Sequence, residues 1–125
     1  MIKHGADISI RDLGGATAIH WASQSGNLLI LKLLIRNGAD INVKVDDSVI
    51  PLHYASLPGN VTTADLLIKH GADINATTDE GETPLHSSTW AGEGKMTKFL
   101  IIKGAKVNAK NNKGETPLKI ATDKG

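Results

Sequence analysis

The chain contains no cysteine, so disulfide frameworks, thiolate zinc sites and cysteine nucleophiles are excluded together. Aromatic residues are almost as scarce: Trp21, Tyr54, Trp90 and Phe99 make up 3% of the 125 residues. A single central core of this size usually draws on more large rings. The interior must instead be assembled from many similar Leu, Ile, Val and Ala contacts. Neither charge sign dominates, with 14 Lys and Arg against 13 Asp and Glu and a formal net charge of +1. That balance argues against bulk attraction to nucleic acid or to an anionic membrane. No apolar run approaches the roughly 18–20 residues of a membrane helix, and Met1-Ile2-Lys3-His4-Gly5 lacks the apolar stretch of a signal peptide. With 40% hydrophobic and 22% charged residues, the composition is that of a folded, soluble chain. An intracellular location, cytoplasmic or nuclear, is expected.

What the chain has in abundance is itself. Gly5-Ala6-Asp7, Gly38-Ala39-Asp40, Gly71-Ala72-Asp73 and Gly104-Ala105-Lys106 recur at intervals of 33. His20, His53, His86 and Lys119 keep the same interval, as do Gly26, Gly59, Gly92 and Gly125. A fixed period of this length signals a solenoid-like array. Within a unit, Thr83-Pro84-Leu85-His86 starts a short helix: Thr83 caps free amides and Pro84 suits the first helical position. Gly92 ends that helix near residue 91. A second helix follows, clearest in the apolar run Leu28–Ile35, and Gly38 stops it. Asp40-Ile41-Asn42 then leads through an extended, turn-rich link to the next unit.

These motifs closely resemble the ankyrin repeat family, along the whole chain and without insertion. The resemblance implies an all-α fold, an ankyrin-repeat solenoid of stacked helix-turn-helix units joined by β-hairpin-like loops. It implies one domain over 1–125, with full repeats at 12–44, 45–77 and 78–110 and half repeats at 1–11 and 111–125. Departures from the pattern are expected to matter locally. Ser48 and Ile50 replace a turn Gly and a capping Thr, so the second hairpin should be less regular. Ser88, at a core position, needs a backbone partner. The truncated ends should expose Ile2, Leu118 and Ile120 and give weak head-to-tail self-association.

Chemistry-bearing constellations are absent from the pattern. A metal ladder through His20, His53 and His86 fails on distance, because packed helices lie about 8–10 Å apart while zinc needs nitrogens about 2 Å away. Gly92-Glu93-Gly94-Lys95 is no phosphate loop, since Thr89 and Met96 stand where that motif needs Gly and Ser or Thr. Paired acids such as Asp46-Asp47 sit on exposed tips with no pocket to shift a pKa. No enzyme activity and no cofactor are expected.

The resemblance implies a non-catalytic module that binds a partner protein or peptide on a concave face. Its contact positions fall on Leu13, Gln24 and Lys44, then Asp46, Asp47, Leu57 and Thr77. The third repeat adds Asp79, Glu80, Glu82, Trp90 and Lys110, and the last half repeat Lys113. Trp90 is the expected anchor. Alternatives are a substrate-recruiting or regulatory segment of a larger enzyme or channel, and a structural spacer. Asn42 and Asn75 resemble family asparagines that are hydroxylated; read from residue chemistry alone, they bond locally within the hairpin. Charge divides along the chain: residues 1–94 carry 6 basic and 11 acidic side chains, residues 95–125 carry 8 and 2. The array therefore has an acidic body and a basic end.

Overall fold

The computed structural model describes residues 17–124. The expected half repeat at 1–11, the start of the first full repeat and Leu13 lie outside the described residues. Seven α-helices follow in order: α1 (Ala18–Ser25), α2 (Leu28–Arg36), α3 (Pro51–Ser56), α4 (Val61–Lys69), α5 (Pro84–Trp90), α6 (Gly94–Ile102) and α7 (Pro117–Lys124). No strand occurs among the described residues, and a single 3-10 turn spans Asp46–Ser48. The chain is an all-α solenoid.

Each helix begins and ends where its local chemistry directs. Pro51 and Pro84 occupy the first helical position of α3 and α5, where a missing N–H costs nothing. Asn27 and Asn60 cap α2 and α4, their side-chain oxygens accepting the Ile30 and Thr63 amides at 3.1 and 3.0 Å. α2 ends at Arg36, and Gly38 turns the chain away at φ 87°, a left-handed conformation that only glycine adopts cheaply.

The helices pair as α1/α2, α3/α4 and α5/α6. First helices stack in a row, α1 on α3 on α5 on α7, and α4 packs on α6. The core runs as a line of aliphatic side chains through Leu31, Leu34, Leu52, Leu67, Leu85, Met96 and Leu100, all at most 1% exposed. Each such side chain contributes about 1.5–3 kcal/mol of transfer free energy, and none belongs to a ring. Buried hydroxyls on the first helices are bonded within them: Ser23 to the Ile19 carbonyl, Ser56 to that of Leu52. Ser88 has the partner its position demands, donating to the Leu85 carbonyl at 3.0 Å, with Thr97 Oγ1 2.8 Å away. At the C-terminal end Leu118 is 73% exposed, as expected, but Ile120 is buried at 1%. That correction follows from α7 lying on α5, which covers part of the helix.

Three loops rise beyond the first helices, each closed by a backbone bond from its first residue to its last, Val45 to Val49, Thr78 to Glu82 and Asn111 to Glu115, all 2.9 Å, with a second bond inside each turn. The second repeat's tip closes as its neighbours do, although Ser48 stands where Gly81 and Gly114 have φ 79° and 77°. Asp47 and Ser48 hold φ 69° and 64° there, which is where its irregularity lies.

Candidate functional site

The repeat histidines His20, His53 and His86 explain how the tips are positioned. His20 Nδ1 accepts the Thr17 amide at 3.1 Å, and its Nε2–H donates to the Val49 carbonyl at 3.1 Å. His86 repeats this with the Thr83 amide and the Glu115 carbonyl, at 3.1 and 2.9 Å. His53 accepts from Ile50 and shares its Nε2–H between the carbonyls of Ala76 and Glu82, at 3.1 and 3.0 Å. One ring nitrogen therefore organises its own helix start while the other holds the following tip. The first role was readable from the Thr-Pro-Leu-His motif; the second reaches 29 residues along the chain. Burial pushes His53 below its ordinary value of 6.5, outweighing the backbone carbonyls of Glu82 and Ala76 and the Asp73 carboxylate that favour the charged ring. Among the described residues no group of three or more His, Asp or Glu is placed to hold a metal ion.

The tips also bind one another. Asp79 donates its amide to the Asp47 carbonyl at 2.8 Å, and Asn112 donates to the Glu80 carbonyl at 2.9 Å. Ser48 Oγ donates to the Asp79 carboxylate at 2.6 Å. The first helices and the tips line an open groove of about 910 Å³.

Of the candidate contact residues, Gln24, Leu57 and Trp90 line the helix side of this groove, and Asp47, Glu80, Glu82 and Lys113 the tip side. Lys44, Asp46, Thr77, Asp79 and Lys110 are exposed but lie outside its lining. Asp79 turns instead towards Ser48. Trp90 is 45% exposed and Leu57 48%. The Trp90 indole N–H donates to Glu82 Oε1 at 3.1 Å, while Glu82 Oε2 accepts from Asn111 at 2.7 Å. That network fixes the ring without burying it.

Sequence reasoning missed Trp21. Its equivalent Tyr54 is half-buried, edge-on to His20 with centroids 5.1 Å apart. Trp21 is 52% exposed and lines the groove. It stands three residues, about one helical turn, before Gln24 on α1, which was the available signal.

Asn42 and Asn75 lie outside the groove, and their bonds correct the local reading. Asn42 accepts the Asp73 amide at 2.8 Å and donates to the Gly71 carbonyl at 3.1 Å; Asn75 accepts the Lys106 amide at 2.9 Å. Both tie one repeat to the next. The within-loop bonds come from Asp40 and Asp73, which accept the Asn42 and Asn75 amides.

No helix among the described residues is long and apolar enough to cross a membrane. The model of a family described as ankyrin repeats, in many copies, matches residues 19–68 and again 52–101. No curated protein matches the sequence significantly.

Proposed function

This chain belongs to the ankyrin repeat family, and from that premise we propose that it is a non-catalytic module binding a protein or peptide in the groove between its first helices and loop tips. Members of the family are generally protein-protein interaction modules. The observation that carries the reading is the half-exposed, hydrogen-bonded Trp90 beside Leu57 and across from charged tips. A large apolar ring held in one orientation loses little entropy on contact, and a polar rim around it excludes water; binding hot spots combine these features. The tips are tied by backbone bonds, so the groove is preformed.

The test is capture of partners from the source cell by cross-linking, followed by affinity measurement with Trp90→Ala. A loss of at least tenfold with little change in melting temperature supports the reading. Unchanged affinity for every captured partner refutes it. Glu82→Gln is a second variant: it keeps an acceptor for the indole and should bind nearly as well as the parent.

A further inference from the structure

Resting on that reading of the groove, we propose that its occupant is an extended segment in polyproline II conformation carrying two basic residues and then an acidic one, each three residues apart. The argument begins with register. Asp47, Glu80 and Lys113 occupy equivalent positions in three successive tips, 33 residues apart, and all three line the groove. Read along the stack, they form a ladder of charge: minus, minus, plus. Among the described residues no hydrogen bond or ion pair engages the carboxylates of Asp47 and Glu80 or the Lys113 ammonium. Their backbones are nevertheless pinned, since Asp47 and Glu80 accept amides from the following tips.

The rung spacing selects the ligand's conformation. Stacked helices repeat at about 8–10 Å. A polyproline II segment rises about 3.1 Å per residue with three residues per turn, so every third side chain returns to one face after about 9 Å. A β-strand does not match, because residues three apart point to opposite faces. Facing the ladder are Leu57 and Trp90, with Trp21 at the far end. Apolar or proline residues between the charged ones would lie on these side chains, as such segments do in aromatic-lined grooves.

The charge balance agrees. Among the described residues, Asp47, Glu80, Glu82 and Glu115 line the groove against one basic side chain, Lys113. Glu82 is occupied by Trp90 and Asn111, and Glu115 Oε1 by Asn111. Among the described lining residues, the carboxylates that accept no hydrogen bond are those of the first two rungs.

Three end-capped peptides provide the test, titrated into the full chain by calorimetry and by tryptophan fluorescence. The matched peptide is Gly-Arg-Pro-Leu-Arg-Pro-Leu-Asp-Pro-Gly. The second reverses its charges, and the third keeps its composition but places the two arginines side by side. The matched peptide should bind at least tenfold more tightly than either control, more weakly as salt rises. Glu80→Gln and Asp47→Asn should each reduce its affinity about three- to fivefold, in the range of exposed charge pairs. Asparagine is chosen at 47 because it tolerates the positive φ there. Equal binding of matched and reversed peptides overturns the ladder, and so does failure of the matched peptide to bind. If all three bind the parent equally and Trp90→Ala releases all three, the groove stands and the ladder falls. If Trp90→Ala leaves matched binding intact, the groove reading itself falls.

Discussion

The second and third repeats build the same loop and helix start from different residues. In the third, Gly81 supplies the left-handed turn and Thr83 the cap, its Oγ1 lying 2.8 Å from His86 Nδ1 and accepting the His86 amide at 3.3 Å. In the second, Ser48 takes the strained turn and Ile50, with no polar side chain, takes the capping position. The closing bonds are nonetheless equally short. What the second repeat lacks in its own turn is supplied from the third, where Asp79 holds Ser48; the Glu82 carbonyl holds His53 as Glu115 holds His86, and Ala76 of the second repeat itself adds a further acceptor. In a stacked array a local sequence defect is absorbed by the neighbour, and the cost moves from the turn to the interface.

The largest effect that would sharpen this contrast is loss of the ring in each repeat. His53→Ala should cost about 3 kcal/mol, removing buried packing and leaving the Ile50 amide and two carbonyls without their partner. His86→Ala should cost less, because Thr83 still caps α5. Chemical denaturation of the two variants decides it, and an equal or greater loss at His86 breaks the comparison.

Acid should find the second repeat next. With its folded pKa below 6.5, His53 is bound to fewer protons in the native than in the unfolded chain around that pH. Its contribution is therefore complete above about pH 6.5 and is lost progressively as pH falls from there. Urea midpoints measured downward from neutrality should decline, and His53→Gln should lose that part of the slope. A midpoint that rises on acidification would reverse the assignment.

A smaller defect lies within α4. Thr63 is fully buried and its hydroxyl has no hydrogen-bond partner among the described residues, whereas the third repeat has the buried, apolar Met96 at that position. Thr63→Val should raise stability by about 1 kcal/mol, the usual penalty of an unmet hydroxyl. A fall in melting temperature would show that the hydroxyl has a use.

The smallest expected change is Ser48→Gly. Glycine relieves the φ of 64° but forfeits the bond to Asp79, so the net should stay within about 0.5 kcal/mol. Ser48→Ala keeps the strain and loses the bond, and should be measurably worse than Gly. Equal melting temperatures for the two would remove the strain of the turn from the account.

The fold was legible because its determinants are local and repeated. Thr83-Pro84 starts a helix, Gly38 ends one, and Leu31, Leu34, Leu67 and Leu100 fall on the buried line. The groove was legible only in outline. Gln24, Leu57, Trp90, Asp47, Glu80, Glu82 and Lys113 meet there, while Lys44, Asp46, Thr77, Asp79 and Lys110 do not. Equivalent positions differ because each side chain answers to a neighbour 29 to 33 residues away, and that neighbour differs from repeat to repeat.

Period, caps and apolar spacing by themselves determined where the helices lie, since a backbone amide or an aliphatic side chain has few ways to be satisfied locally. Only the tertiary structure decided that Asn42 and Asn75 reach across repeats, that His20, His53 and His86 each carry the following tip, and that Trp21 remains half open in the groove. Those outcomes turn on which donors and surfaces the next repeat presents, and stacking brings them within reach only after the helices have formed.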